Sequence, residues 1–288
     1  MVTSHAHASA RKAAIAKLAR GKDLGANGGS EPILLRRSNS DQKSSVYSDC
    51  RMNIFIVRNG GGIMEKTNGY ALLLSKDKFD VELTSVGNKQ SKMQKVNGVI
   101  VPPSTIYCVR GNNGPLYVIE PDTQMTSSEH LDSPVHFHME DVQRHLVRSR
   151  PVKFMVPANP YGLDTKREGR LLSNGSPEIV IGPENIEFSA GGPVSRQDFH
   201  SHEHLTEVYI PFGNLEIIYH TKEGKLSTIA ASAGDVVILK SGKAPHYAIM
   251  REGPTFVAMS SHLPIADDKK VVVHHDDIEK TAAGVLRS

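Results

Sequence analysis

RQDFHSHEHLTEVYIPFG, residues 196–213, sets three histidines at alternate positions, with a glutamate three residues beyond the last of them. Alternation of period two marks a strand, whose successive side chains point to opposite faces. A row of imidazoles on one face, followed by a carboxylate, points to a metal. Taking 199–213 as two strands joined by a turn near His204 to Thr206, His200 and His202 share one face, and Glu207 and Tyr209 share a face on the next strand. Thirty-nine residues past Glu207, APHYAIM opens a further strand with His246. Three imidazoles and a carboxylate form a hard-to-borderline N/O donor set. Such a set suits Fe, Mn, Ni, Co, Cu or Zn, and it lacks the thiolates of a structural zinc site. Four ligands on an ion that tolerates six leave positions open for substrate, water or dioxygen.

The sequence around this stretch is β-rich. Between Arg51 and Glu120 short apolar runs alternate with turn signals: MNIFIV, YALLL, FDVEL, VIVPP, IYCV and LYVIE. Asn-Gly pairs at 59–60, 68–69, 97–98 and 113–114 are read as hairpin turns. From about Asp122 to Arg170 the pattern loosens, and then it resumes with EIVI, IEFSA, TEVYI, LEIIYH, DVVILK, HYAIM and TFVAMSS. Many short, evenly spaced strands predict an all-β sandwich or barrel. The stretches NGVIVPPSTIYCVRGNNGPLYVIE and GDVVILKSGKAPHYAIMREGPTFVAMS follow one plan of strand, turn, strand, hairpin and strand. They predict a duplicated barrel, each copy of ordinary domain size.

At these residues the sequence resembles the cupin superfamily. The first cupin motif, in outline G-x5-HxH-x3–4-E-x6-G, is similar to His200-Ser201-His202-x4-Glu207 followed by Gly213. The second, G-x5-PxG-xx-H, is similar to Gly234-x7-Gly242-x3-His246. The chain departs from the pattern in places. The interval from Glu207 to Gly213 is one residue short, the glycine before the HxH is displaced, Lys240 stands where proline is usual, and one extra residue separates Gly242 from His246. These changes touch loops more than ligands. The first β-rich block is fainter: GYALLLSKDKFDVEL carries no HxH or Glu, and VPPSTIYCV has Tyr107 where the histidine would stand. The resemblance implies a bicupin, two tandem jelly-roll barrels with a metal in the second alone. The expected division is an N-terminal arm at 1–50, a degenerate barrel at 51–122, an inter-barrel segment at 123–170, a metal-binding barrel at 171–266 and a tail at 267–288.

The expected ligands are His200, His202, Glu207 and His246, holding one divalent ion per chain, with Fe(II) favoured over Mn, Ni, Cu or Zn. His204 keeps the parity of the ligands and is read either as a fifth group near the metal, placed to bind substrate, or as a turn residue. Tyr209 is read either as a group that positions substrate or donates a proton, or as core. Arg196 and Lys240 border the barrel mouth and are candidates to pair with an acidic substrate; ordinary surface charge is the plainer reading. HFHMED at 136–141 and HHDD at 274–277 also carry ligand-type residues, but without partners in motif context they read as solvated linker and polar tail.

An ion in this set can serve two chemistries. With a redox metal, a chelating substrate and dioxygen can react beside each other, and a dioxygenase is the first expectation. With the metal as a Lewis acid, Glu207 or Tyr209 moves a proton, giving an isomerase or lyase. HSHEHLTEVYIPF is also similar to a stretch of bicupin uronate isomerases, a local likeness only. A non-catalytic, small-molecule-binding bicupin is the third expectation.

Composition bounds the rest. A formal charge of +3 on 288 residues, with Lys and Arg scattered, argues against nucleic acid. No apolar run approaches the roughly 18 residues needed to cross a bilayer. Cys50 and Cys108, without a secretory signal, read as free thiols of a reducing compartment, so a cytoplasmic setting is expected. The acid-free, basic start is read as a helix from about Ser9 to Arg20 packed on the body, with organelle targeting as the alternative. Residues 21–50 read as a linker or a wrapped arm. The resemblance implies a homodimer acting on a small molecule.

Overall fold

A computed structural model gives the fold. It describes residues 9–10, 12–18, 31–35, 44–48, 52–57, 62–85, 93–111, 113–121, 134–140, 152–153, 186–191, 199–221, 223, 225–240, 245–261, 271–273, 277–278 and 280–283. The arm supplies β1 (Ile33–Leu35) and β2 (Ser44–Ser48). The first unit holds β3 (Met52–Val57), β4 (Ile63–Lys66), β5 (Ala71–Ser85), β6 (Met93–Val101), β7 (Thr105–Arg110) and β8 (Leu116–Pro121). Between the units lie β9 (Val135–Phe137) and β10 (Val152–Lys153). The second unit holds β11 (Ile186–Gly191), β12 (Phe199–Ser201), β13 (Leu205–Pro211), β14 (Leu215–His220), β15 (Leu226–Ala231), β16 (Val236–Leu239), β17 (His246–Met250) and β18 (Thr255–Ser261). The tail adds β19 (Val271–Val273). All strand pairs are antiparallel.

The second unit is two sheets face to face, ordered β1-β16-β13-β18-β11-β10 and β15-β14-β17-β12-β19. Period two turns Leu205, Tyr209, Val237 and Leu239 inward, where they meet Leu215, Ile217, Ala248 and Met250 of the facing sheet. In the first unit the same layers are joined. β5 is one strand of 15 residues whose first half pairs with β8 and whose second half pairs with β7. A register shift between Leu74 and Phe79 marks where it turns the corner. Asn97 and Gly98, read from sequence as a hairpin, lie instead inside β6 at that corner. The Asn97 amide is buried, donates to the carbonyl of Lys76 at 2.8 Å and accepts from the Met139 N–H at 2.9 Å. An Asn-Gly pair whose side chain ties two strands at a bend gives the same local signal as a turn.

The units pack sheet against sheet. Val208, Ile210, Val236, Ile238, Phe256 and Ala258 on the outside of the second barrel share one core with Ile54, Ile56, Leu72, Leu74, Ile100 and Ile119 of the first. Both faces of β13 and β16 are therefore buried, and their sequences lose the alternation of a half-exposed strand. At about 1.5–3 kcal/mol for each large apolar side chain, this interface contributes stability on the scale of a domain core. The fold is a pair of antiparallel β-barrels packed against each other, all-β in its core.

The ends of the chain close the structure. Residues 9–10 and 12–18 are helical, as are 277–278 and 280–283. Ala10, Ala14 and Ile15, with Ile278 and Ala282, pack on Phe199, Ile218, Tyr247 and Ile249 outside the second sheet of the second barrel. The region read as a linker contains two strands, because ILL at 33–35 pairs with β16 and residues 44–48 pair with β3. HFHMED is likewise structured in part, since β9 pairs with β6 and Glu140 forms an ion pair with Lys78 at 3.0 Å. No described helix is long and apolar enough to cross a membrane.

Two glycines are fixed by geometry. Gly234, at φ 101°, turns the chain into β16 in a region that L side chains rarely adopt. Gly213 lies in the turn after β13, and a Cβ there would run into the backbone carbonyl of Glu252. Gly213→Ala should therefore cost about 2 kcal/mol or more and lower the midpoint of thermal unfolding by about 5 °C or more. A midpoint within a degree of wild type would show that the β13–β14 turn does not hold the backbones this close.

Candidate metal centre

The site is built from three strands and one turn. Phe199 faces outward into the helix-covered cluster, so its neighbour His200 faces inward at the end of β12. His246 opens β17 and is the register partner of His200. His202 follows β12 in the turn, and Glu207 stands on β13, paired with Leu239 on one side and Met259 on the other. All four side chains are buried, at 2 to 6% exposure. The Glu207 carboxylate is their common centre. Its Oε2 lies 2.6 Å from His246 Nε2, and its Oε1 lies 3.3 Å from His202 Nε2 and 3.8 Å from His200 Nε2.

Glu207 is held in its charged form. Burial alone would push the carboxyl up, but the charges of His246 and His202 and hydrogen bonds from His200 and His202 outweigh it. The carboxyl stays well below the usual carboxylate range. A buried carboxylate ringed by imidazoles is a site prepared for a cation.

The donor set fits one. Metal–nitrogen and metal–oxygen bonds are about 2.0–2.2 Å, so two donors on one ion stand no more than about 4.4 Å apart. The three carboxylate–imidazole separations fall inside that limit. One ligand atom from each of His200, Glu207 and His246 lies within 4.8 Å of the others, and this is the one such group among the described residues. His202 adds its imidazole beside the same carboxylate.

The other expected residues divide. Tyr209 is fully buried two places along β13, and its hydroxyl lies 3.0 Å from Glu207 Oε2 and 3.2 Å from His246 Nε2. Lys240, just past β16, lines the pocket with His202, Leu205, Glu207, Leu239 and His246. His204 sits in the turn with its side chain 40% exposed and its Nε2 3.9 Å from Glu203, and it is not among the residues lining the pocket. The turn itself runs over 202–204, and Leu205 and Thr206 already belong to β13. Arg196 and Gly242 lie outside the described residues. Leu205 and Leu239 were missed in the sequence, although Leu205 has the parity of Glu207 and could have been placed in the site by it.

The first barrel holds a counterpart without a donor set. Glu65 on β4 and Tyr107 on β7 are register partners, as His200 and His246 are. The Tyr107 hydroxyl donates to Glu65 Oε2 at 3.0 Å. Burial, with Glu120 adding, pushes the phenol up, so it stays a donor. Thr67 follows Glu65 by two residues, as His202 follows His200, but its hydroxyl donates to the Pro102 carbonyl at 2.7 Å. Ala71, paired with the last residue of β6, stands where Glu207 is paired with the last residue of β16. A phenol–carboxylate hydrogen bond thus spans this barrel at the place where imidazoles gather in the other.

No family model matches the sequence, and no curated protein matches it. Solved structures do. Oxalate decarboxylase from Bacillus subtilis at pH 4.6 is 12% identical, with a TM-score of 0.44, covering 86% of this chain and 80% of that one. A structure from work on the Mn(II) centres of the same enzyme gives 12% identity, a TM-score of 0.45 and coverage of 86% and 81%. What the present site can do follows from its own donor atoms.

Two substitutions separate the barrels. His246→Ala should lower the affinity for added Mn(II), measured by calorimetry, by at least about tenfold. Tyr107→Phe should leave metal content unchanged and cost about 1–2 kcal/mol in denaturant unfolding, because the Tyr107–Glu65 hydrogen bond is lost. Metal content that follows Tyr107 rather than His246 would assign the ion to the first barrel.

Proposed function

We propose that this chain is a metal-dependent enzyme acting on a small organic substrate by proton transfer, a lyase or isomerase. The observation that carries the reading is the Tyr209 hydroxyl, shared between Glu207 Oε2 and His246 Nε2 at 3.0 and 3.2 Å. Proton transfer needs groups within hydrogen-bond reach that can hold the proton before and after the bond change. Glu207 and Tyr209 form such a pair, buried together at the edge of the ligand set.

When bound, the ion would be held by His200, His202, Glu207 and His246 and would polarise the substrate's oxygen atoms as a Lewis acid. The chain's own residues do the remainder. The Tyr209 hydroxyl donates to Glu207 Oε2 and fixes which carboxylate oxygen faces the strand, leaving Oε1 toward His200 and His202. Glu207 Oε2 would take a proton from one atom of the substrate and return it to another, so that no proton is gained or lost overall, while the Tyr209 hydroxyl holds the carboxyl group in place by its hydrogen bond. Leu205 and Leu239 wall the pocket with apolar surface and limit the access of water, which strengthens each of these interactions.

The second reading is a dioxygenase. It is supported by the number of ligands, since three imidazoles and one carboxylate leave room for a chelating substrate and dioxygen on a six-coordinate ion. The two readings share a ligand set and differ in what they consume.

Elemental analysis of the native protein should find about one transition metal per chain. Turnover should continue without dioxygen. Tyr209→Phe should keep the metal and lower kcat by about 10²-fold or more. Dioxygen consumed one for one with substrate would replace this reading with the second, and an unaffected Tyr209→Phe enzyme would remove the tyrosine from the chemistry.

A further inference from the structure

Resting on the metal-centre reading above, we infer that β1 is a strap that closes the metal barrel, and that its docking and the binding of the ion at Glu207 strengthen each other. Three observations converge. The first is register. Ile33, Leu34 and Leu35 pair with Ile238, Val237 and Val236 of β16. β16 in turn sets Val237 beside Tyr209 and Leu239 beside Glu207. Leu34, Val237 and Tyr209 thus form one row across three strands, and partners in register share a face. One residue back along the same ladder, the buried Pro32 falls beside Leu239, the pocket-lining neighbour of Glu207. Proline has no N–H to add to a ladder, so the strand stops beside the pocket.

The second is packing. Leu34 packs on the interior cluster of the metal barrel, which holds Tyr209, Leu205 and Leu239. Ile33 and Leu35, on the opposite face, pack on the core between the barrels. All three are half-buried, and among the described residues β1 is the edge of its sheet. A strand of three residues paired on one side has few ladder bonds to hold it, and it opens locally while the sheet beneath stays folded. Open, it uncovers the edge of β16 and lets water reach the wall on which Glu207 and Tyr209 stand. Closed, it keeps that wall dry, and a carboxylate attracts a cation more strongly where water is excluded. The ion therefore favours the closed strap, and by linkage the closed strap favours the ion.

The third is the contrast with the first barrel. SPVHF at 133–137 repeats the plan of EPILL at 31–35. β9 pairs with β6 as β1 pairs with β16, and His136 meets Val99 where Leu34 meets Val237. Val99 stands beside Leu73, as Val237 stands beside Tyr209. Each β-rich half is thus covered by a strand that precedes the other half in sequence. Only β1 covers the barrel that gathers imidazoles around a carboxylate, so β9 is the control within the same molecule.

The test is made on the full-length chain by hydrogen exchange with and without saturating Mn(II), and by calorimetry of Mn(II) binding. In wild type, Mn(II) should slow the protected amides of residues 33–35 by about fivefold or more, the low end of the coupling between two linked sites. Exchange in β9, and in β15 at the edge of the facing sheet of the same barrel, should change by less than about twofold. Ile229 of β15 packs on the same interior cluster as Leu34. Leu34→Ser should weaken Mn(II) by about fivefold or more, whereas Leu34→Met and Ile229→Ser should hold it within about twofold of wild type. Wild-type protein that fails to bind Mn(II) overturns the metal-centre reading and this inference with it. Mn(II) binding that leaves 33–35 exchanging as before, slows β9 or β15 as much as β1, is as tight in Leu34→Ser as in wild type, or weakens equally in Leu34→Ser and Ile229→Ser overturns the strap alone.

Discussion

The Glu207 carboxylate, buried among three imidazoles, is the constraint around which the second barrel is arranged. A charge of that kind in an apolar interior is stable only with partners on every side. The partners come from separate parts of the chain: His200 from the end of β12, His202 from the turn and His246 from the start of β17. Their convergence requires two sheets to face each other in a fixed register, and the pairing of His200 with His246 supplies it. A slip of one residue in either strand would turn an imidazole out of the barrel and leave the carboxylate stranded.

The two barrels show what this constraint does when it is relaxed. With Ala71 in place of the glutamate, the described residues of this barrel show no buried carboxylate among imidazoles, and the half-buried Glu65 accepts a hydrogen bond from Tyr107. The rest of the interior fills with Leu73, Phe79, Val99, Val109 and Val118. The first barrel then gives its outer face to the second, where Ile54, Leu72 and Ile119 cover Val208, Ile238 and Ala258. One copy keeps the buried histidine–carboxylate cluster, and the other supplies half of the core on which that copy rests.

Much of this was legible in the sequence because it depends on parity and spacing. HxH with a glutamate five residues on, and a histidine opening a distant strand, picked out without coordinates the four side chains that converge. Tyr209 followed by parity, and Lys240 by its nearness to the loop. What was not legible depends on contacts distant in sequence. The strand at 33–35 looks like a short apolar island in a linker until its partner β16 is known. Asn97 reads as a turn because its two side-chain bonds, to Lys76 and Met139, are invisible locally. Glu65 carries no motif, and only its pairing with Tyr107 marks it as the counterpart of His200.

The shortness of β12 has a consequence for how the site is held. The strand is three residues long and is held on one side by β17 and on the other by β19, where Phe199, His200 and Ser201 meet Val273, Val272 and Val271. With so few ladder bonds of its own, the backbone that presents His200 takes its position from two segments far from it in sequence. β19 thus acts as a clamp, and loosening it would fray the edge that carries this imidazole before it disturbed the rest of the sheet.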